Sequence, residues 1–427
     1  MKKFVSKLTK SPFVKNVMVM ATGAAGAQAV TMALSPIITR LYGPEAFGIL
    51  GTFTALTRVI IPVAALTYPI AIVLPKNDKN AKGIIKLSML VTLIISVLTT
   101  LFLLVFNTHI INWFQLEEIA PYLYLIPLVI VFAGLMQVTS QWLIRTKQFA
   151  INAKVNFLQS VIINGSKVGI GLFYPIAAVL VLLQVVSNGL RAFMMIMFAR
   201  RSSYQSKVNT KEKPLSLKEL AKKHYDFPLY RAPEELFSSI SQNIPVLLLT
   251  SFFGPASAGF YSIGRTVLGL PSRLIGEAIG DVFYPRIAEA ANNRENLNGL
   301  IQKATFALLG IGVVPFGLII AFGPFLFEFV FGEGWHVAGE YARWIALSSY
   351  STFINKPSVR SMPVLSAQRF HLIFSIIKFV FRSLSLVLGF IIFESDILAV
   401  AFFGITSCLL NIILILITIS MSRKKFN

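Results

Sequence analysis

Long apolar stretches alternate with short polar segments along the whole chain. Most of the apolar stretches are about 20 residues or longer, which is the length of α-helix that crosses a hydrocarbon layer of about 30 Å. The pattern therefore predicts an all-α polytopic membrane protein with twelve spanning helices. We place them at residues 16–38, 46–73, 83–106, 119–143, 152–172, 175–198, 228–251, 256–282, 300–322, 340–362, 369–391 and 397–420.

Composition agrees with this pattern. Hydrophobic residues make up 55% of the chain and charged residues 13%, whereas about 25% of the residues of a soluble protein are charged. The first apolar stretch is too long for a signal-peptide core and lacks a clear cleavage site, so we expect it to remain as a helix. A net charge of +21 would suggest a nucleic-acid partner for a soluble protein, but here the charges sort by side of the membrane, and we expect no such partner.

The distribution of lysine and arginine between loops predicts the orientation. When the N-terminus is placed in the cytoplasm, nearly all loop lysines and arginines fall on the cytoplasmic side, and only Arg40 falls outside. Acidic residues such as Glu117, Glu333 and Glu394 occupy the outer loops instead. Because cytoplasmic loops of membrane proteins are rich in lysine and arginine, both termini are predicted to be cytoplasmic.

A short motif occurs twice in the chain. The sequence YGPEAFG at residues 42–48 and the sequence FGPASAG at residues 253–259 share an aromatic-Gly-Pro-x-x-x-Gly frame. An internal repeat of this kind is typical of transporters. We therefore expect two six-helix lobes, at residues 1–199 and 227–427, joined by a basic cytoplasmic linker at 200–226. The linker is expected to lie on anionic headgroups, with a short amphipathic helix over 215–223.

Apart from residues at span ends that are counted with the loops, eleven basic residues fall inside the predicted helices, together with only four acidic ones. The membrane interior therefore has a net positive charge. Ionisable groups at membrane depth are costly and commonly mark a binding site or a pathway. Arg58 and Arg265 lie near mid-bilayer on repeat-equivalent helices, about 18 Å and 14 Å from the outer helix ends. We expect both to face one central cavity; structural hydrogen bonding to carbonyl groups is the alternative.

Further candidates follow from spacing and depth. Arg231 lies four residues before Glu235, and the series Arg273, Glu277 and Asp281 has the same spacing. Side chains four residues apart share a helix face, so local salt bridges are the alternative to a substrate-binding role for the arginines and an ion-coupling role for Glu277 and Asp281. A second-rank pair on one face of the eleventh helix consists of Lys378 and Arg382.

Catalytic and metal-binding signals are absent from the sequence. The four histidines show no metal-ligand spacing, and no Gly-rich loop ends in Lys-Ser or Lys-Thr. We predict no catalytic residue, metal or cofactor. Pro62 and Pro271 interrupt repeat-equivalent helices and are candidate bending points, although kinks without motion fit equally well.

These motifs resemble those of the Wzx-type polysaccharide-export flippases, of the multidrug/oligosaccharidyl-lipid/polysaccharide (MOP) exporter superfamily. The resemblance covers essentially the whole chain. The residues that carry it are the 42–48 turn, Phe227-Pro228, Phe253-Gly254-Pro255, Gly259-Phe260-Tyr261, Arg265, Pro271 and Val282-Phe283-Tyr284-Pro285.

The resemblance implies a non-enzymatic membrane transporter with a MATE-like fold in the bacterial cytoplasmic membrane. Its substrate would be an undecaprenyl-pyrophosphate-linked oligosaccharide, flipped to the outer leaflet for O-antigen, capsule or exopolysaccharide synthesis. Alternating access through a cationic cavity is implied, with Arg58, Arg231, Arg265 and Arg273 contacting pyrophosphate or glycan. Polysaccharide polymerase and chain-length machinery are the partners that the resemblance leaves open.

Three alternatives are less consistent with the sequence. MATE-type multidrug or cation antiporters commonly have an acidic residue in the first helix, whereas residues 16–39 contain no charge. Lipid II flippases usually have fourteen helices and an arginine in the first. A glycan polymerase or ligase would be an enzyme with a large outer loop, and this chain has none in the predicted topology.

Overall fold

The computed structural model describes residues 12–75, 77–114, 117–201, 214–272 and 277–426. Within these ranges the regular structure is entirely helical, as predicted. The α-helices are α1 Pro12–Ile60, α2 Asp78–Phe114, α3 Ala120–Leu123, α4 Ile126–Arg145, α5 Phe149–Gly171, α6 Ala177–Arg201, α7 Leu217–Lys223, α8 Ala232–Phe253, α9 Pro255–Pro271, α10 Glu277–Asn292, α11 Leu297–Phe331, α12 His336–Ile354, α13 Lys356–Ser361, α14 Gln368–Phe393 and α15 Asp396–Phe426.

Eight segments of the described chain are long and apolar enough to cross a membrane. The first of them, Thr22–Val63, contains two predicted spans joined at a kink. Each of the twelve predicted spans falls on at least one described helix. The other seven segments are Asp78–Asn112, Ile126–Arg145, Ala177–Arg200, Phe227–Phe253, Leu297–Phe331, Gln368–Phe393 and Asp396–Arg423.

The two copies of the repeated motif have the same backbone conformation. Gly43 interrupts α1 with φ 70° and ψ 173°, and Gly254 separates α8 from α9 with φ 84° and ψ 176°. This region of backbone space is accessible essentially to glycine alone. The proline that follows each glycine then starts the next helix, where its missing N–H is not needed.

Several predicted spans do not form one continuous α-helix. The predicted span 46–73 is wrong beyond Ile60, where α1 ends in 3₁₀ turns at Ile61–Val63 and Tyr68–Val73. Proline inside a helix removes a backbone donor and frees the carbonyl group four residues earlier. The Ile61 carbonyl accepts from the Ala64 N–H at 3.2 Å, within the first 3₁₀ turn, and from Gln137 Nε2 at 2.9 Å. The spans 119–143 and 340–362 each fall on two α-helices, and the span 256–282 falls on α9 and α10.

Residue contacts divide the chain into two compact units, one ending at Leu247 and the other beginning at Leu248. In the first unit, α1 packs on α5 through small residues. A methyl group added at Gly23 would lie 2.5 Å from Ala153 Cβ. Ser160 Oγ donates to the Ala27 carbonyl at 2.8 Å. Close approach of small residues is the usual mode of helix packing in membranes.

The short predicted helix of the linker is present as α7. Ser216 caps it and forms a capping box with Glu219, in which each residue satisfies a backbone N–H of the other. Leu220, only 1% exposed, fixes α7 against α2 within the first unit. The lysines of α7 remain exposed, so the helix is amphipathic as the sequence indicated.

The second unit contains α9 to α15. α11 and α12 approach closely at Pro324 and Gly339. A methyl group added at Gly339 would clash with Pro324 Cα, so only glycine fits there. α12 also packs on α9 and α15, and α14 packs on α15. The four helices α9, α12, α14 and α15 carry the polar residues described next.

Candidate intramembrane cation site

The predicted arginines of the first unit lie on exposed surface. Arg58 is in the last turn of α1, just before the break after Ile60, and its side chain is exposed. Arg231 ends a π-helical turn at Phe227–Arg231. Its Nη2 lies 3.3 Å from Glu235 Oε1, with both side chains about half exposed. The local salt bridge considered from the i, i+4 spacing is therefore formed.

The structure describes only part of the series Arg273, Glu277 and Asp281. Arg273 lies outside the described residues. Glu277 and Asp281 belong to the first turns of α10, but their side chains also lie outside what the structure describes. Their roles stay predictions.

Three of the predicted cations come together in the second unit. Lys378 and Arg382 lie one turn apart on α14, and the guanidinium groups of Arg382 and Arg265, from α9, are close enough to interact electrostatically. All three side chains are partly buried. Neither Lys378 nor Arg382 forms an ion pair with any described residue. The second-rank pair on α14 and Arg265 of α9 thus form one group, which we call the cation cluster.

Aromatic rings hold the arginine end of the cation cluster. The Arg382 guanidinium lies over the Phe403 ring of α15, 4.4 Å from its centroid. Tyr261 of α9 packs edge-on against the same ring, with centroids 6.2 Å apart, and lies within electrostatic range of both guanidinium groups. A ring face attracts a cation without neutralising it. Arg382 Nε has no hydrogen-bond partner among the described residues.

An amide holds the lysine end. Lys378 Nζ donates to Asn411 Oδ1 of α15 at 2.6 Å. Asn411 is fully buried, and its Nδ2 donates to Ser351 Oγ at 2.9 Å and Thr352 Oγ1 at 3.0 Å, both on α12. The ammonium group is therefore fixed by a neutral network that spans three helices.

The cation cluster lies deep in its helices. Lys378 and Arg382 are about 15 Å and 21 Å along α14 from Gln368, and Asn411 is about 22 Å along α15 from Asp396. These depths fall near the middle of a hydrocarbon layer of about 30 Å. Positive groups held there by neutral partners can bind an anion that has left water.

Sequence reasoning found the charges of the cation cluster and missed the residues that hold them. Asn411 and Phe403 were not singled out, since an asparagine or an aromatic residue in an apolar helix is common, and Tyr261 was named only as part of the family motif. The only available signal was the polar Asn411 in the most apolar part of the last span. Among the described residues, no group of histidine, cysteine or acidic side chains is arranged to hold a metal ion.

Comparison with solved structures defines the class of the fold. The chain is similar to the lipid II flippase MurJ in an inward closed conformation, over 94% of this chain and 87% of that one, with 16% identity and a TM-score of 0.68. It is also similar to an outward-facing multidrug-resistance MATE family transporter of the MOP superfamily, over 96% and 95% of the two chains, with 15% identity and a TM-score of 0.59.

The Vibrio cholerae MATE transporter VcmN matches over 98% of this chain and 97% of its own, with 16% identity and a TM-score of 0.57. These likenesses show the fold of the MOP superfamily, a multi-pass membrane protein with twelve helices in two six-helix lobes. The predicted fold class is confirmed.

The family follows from the sequence match. A family described as "Polysaccharide biosynthesis protein" matches residues 37–340, which is most of the chain. The chain belongs to this family, which confirms the resemblance to polysaccharide-export proteins that the sequence indicated. No curated protein matches the chain.

Proposed function

We propose that this protein flips undecaprenyl-pyrophosphate-linked oligosaccharide units from the cytoplasmic to the outer leaflet of a bacterial cytoplasmic membrane. Surface polysaccharide synthesis would use the flipped units. The observation that carries the proposal is a cation cluster at membrane depth, in which no described carboxylate pairs with Lys378 or Arg382. Membership of a polysaccharide biosynthesis family and the fold of a lipid II flippase support it.

The chemistry of the substrate fits a cationic membrane interior. A pyrophosphate cannot enter hydrocarbon unless other groups replace its water. One contact between unit charges at 4 Å is worth about 4 kcal/mol at an effective dielectric constant of 20, before desolvation is subtracted. Arginine also matches phosphate oxygens with two parallel donors. A group of cations therefore lowers the free energy of the diphosphate within the membrane.

The substrate-binding roles follow from this chemistry. Arg265, Lys378 and Arg382 would bind the pyrophosphate during its passage. Arg58 and Arg273 would contact pyrophosphate or glycan, and the Arg231 side chain would do so after releasing Glu235. Glu277 and Asp281 would couple the cycle to an ion such as a proton, with alternating access of the two lobes moving the headgroup.

A deletion strain tests the proposed function directly. Undecaprenyl-linked glycans are extracted, and a membrane-impermeant enzyme or label reports which leaflet holds the complete repeat units. We expect cytoplasmic accumulation and loss of surface polymer, both reversed by the plasmid-borne gene. Accumulation on the outer face would contradict the proposal and indicate a polymerase-like step after translocation.

Arginine replacements form a second test, in the complemented deletion strain. We expect Arg58→Ala and Arg265→Ala each to abolish export, because each removes a cation needed by the diphosphate. Membrane levels and melting temperatures measured on the purified variants establish that they fold. Arg286→Ala is the matched control, since Arg286 pairs with Glu295 on exposed surface. Unimpaired surface glycan after loss of both Arg58 and Arg265 would contradict the role of these cations.

A MATE-like cation antiporter is the second candidate, because several solved MATE transporters share the fold. A cationic drug would be repelled by Arg265, Lys378 and Arg382. An antiporter would change drug sensitivity in the deletion strain and leave the surface glycan intact. The same strain therefore separates the two functions.

A further inference from the structure

Asn411 uses all of its hydrogen-bonding capacity inside the second unit. Its Oδ1 accepts from Lys378 Nζ at 2.6 Å and from Asn355 Nδ2 at 3.3 Å. Its Nδ2 donates to the hydroxyl groups of Ser351 and Thr352. A buried amide with every donor and acceptor satisfied has a single orientation.

The direction of the network is fixed independently at both ends. Ser351 donates its hydroxyl hydrogen to the Ser348 carbonyl at 2.9 Å, so its oxygen is left to accept from Asn411. Lys378 has an ammonium group that can only donate. The oxygen of Asn411 must therefore face Lys378. If the amide were rotated by 180°, its NH₂ group would face the donors of Lys378 and Asn355.

An untethered Lys378 would adopt another position. Helical side chains point toward the helix N-terminus, and lysine at membrane depth extends toward the nearer water layer. The N-terminus of α14 is the end predicted to be cytoplasmic. Without the tether, Lys378 would therefore move away from Arg382. The hydrogen bond that Lys378 donates to Asn411 keeps it beside Arg382.

An amide at this position supplies geometry without charge. Among the described residues, Lys378 interacts electrostatically with Arg382 and His371 on its own helix. Arg382 interacts in turn with Arg265 and Tyr261 on α9, and Cys408 on α15 contacts Ser351 of the same network. None of these described groups is a carboxylate. An aspartate at 411 would hold the ammonium equally well but would neutralise it, since paired opposite charges cancel at a distance.

We propose that Asn411 is a positioning residue for anion binding, which holds the Lys378 ammonium beside Arg382 while leaving its full charge available to a diphosphate. This inference rests on the proposed function and deepens it. An anion-binding site needs its cation in the right position and needs that cation not to be neutralised by a neighbour. Asn411 meets both requirements for Lys378.

The test measures the binding of undecaprenyl diphosphate to the purified full-length protein by native mass spectrometry in detergent. Uncharged undecaprenol is measured in parallel. We expect Asn411→Asp and Asn411→Leu each to weaken diphosphate binding about tenfold, which equals about 1.4 kcal/mol. Undecaprenol binding should stay unchanged, because the lipid tail does not use the cation. General damage to the fold would weaken both lipids.

The two variants act differently, and this distinguishes charge from position. Asn411→Asp keeps the tether but neutralises the ammonium, so it should weaken diphosphate binding about as much as Lys378→Met does, since each lowers the net charge of the cation cluster by one. Asn411→Leu removes only the tether, and an apolar side chain in a membrane helix favours insertion, so this variant should fold even if Asn411→Asp does not.

The matched control is Asn164→Asp in the first unit. Asn164 is a buried asparagine in α5 that donates to Ser160 and Thr31 and holds no cation. Its replacement should leave the selectivity for diphosphate over undecaprenol unchanged. If the Asn411→Leu variant kept the wild-type preference for diphosphate over undecaprenol, the role of Asn411 would be refuted and the proposed function would stand. If the wild-type protein itself showed no such preference, both the role of Asn411 and the proposed function would be refuted.

Discussion

Charged side chains of this protein differ in whether a carboxylate neutralises them. Arg145 Nη2 lies 2.8 Å from Asp78 Oδ1, with side chains only 10% and 12% exposed, and Arg145 also donates to the Pro75 carbonyl. That pair ties α4 to the first turn of α2. Lys378 and Arg382 are instead held by an amide and by an aromatic ring. At the residue scale, Arg145 is paired with a carboxylate, whereas Lys378 and Arg382 have neutral partners among the described residues.

The Arg145–Asp78 pair gives a prediction at the same scale. Asp78→Asn removes one charge of a largely buried pair, which costs about 3 kcal/mol because the remaining charge stays desolvated. Unfolding of the purified protein in a denaturing detergent measures the loss. Glu295→Gln is the matched control, because the Arg286–Glu295 pair is far more exposed and exposed pairs contribute little. Equal losses in both variants would contradict the prediction.

Helix interruptions are the main feature at the element scale. The sequence predicted Pro62 and Pro271 as candidate bending points, and α1 and α9 end within two residues of them. It did not predict the 3₁₀ turns that follow Ile60, because the hydrophobic pattern continues unchanged through Val73. Hydropathy reports how apolar a segment is and contains no information on the backbone conformation, which becomes left-handed at Leu66 and Thr67.

The repeated glycine turn gives a prediction for elements. Gly43→Ala and Gly254→Ala should each destabilise the protein by about 1–3 kcal/mol, since the backbone there is accessible essentially to glycine alone. A methyl group meets no neighbour at either position, so the cost is conformational. Gly310→Ala, in α11 and also without neighbours, should be neutral or stabilising in the same unfolding assay. Wild-type stability of both turn variants would refute the prediction.

At the scale of the whole molecule, charge distribution predicts the topology. The predicted arrangement puts the loop after α11 outside and the loop after α10 in the cytoplasm. We expect Glu333→Cys, in a Cys408→Ser background, to react with a membrane-impermeant maleimide in intact cells. Asn293→Cys should react only after permeabilisation. Both positions are exposed, so inverted reactivity would mean inverted topology.

The sequence by itself determined the class of the fold and the locations of most charges. Span length, the sorting of lysine and arginine between loops, and the repeated Gly-Pro turn each depend on local properties, namely helix length, hydration of charge and backbone sterics. These properties act within a segment of about 20 residues, so they can be deduced before any packing is known.

Only the tertiary structure decided which charges meet. Arg265 and Arg382 are separated by more than one hundred positions in the sequence, and their proximity depends on how α9, α12, α14 and α15 pack. Repeat symmetry suggested Arg58 as the counterpart of Arg265, whereas the described contacts group Arg265 with Arg382. Asn411 gained its importance only because its amide faces Lys378, and the orientation of a side chain across a helix interface is a property of the packed molecule.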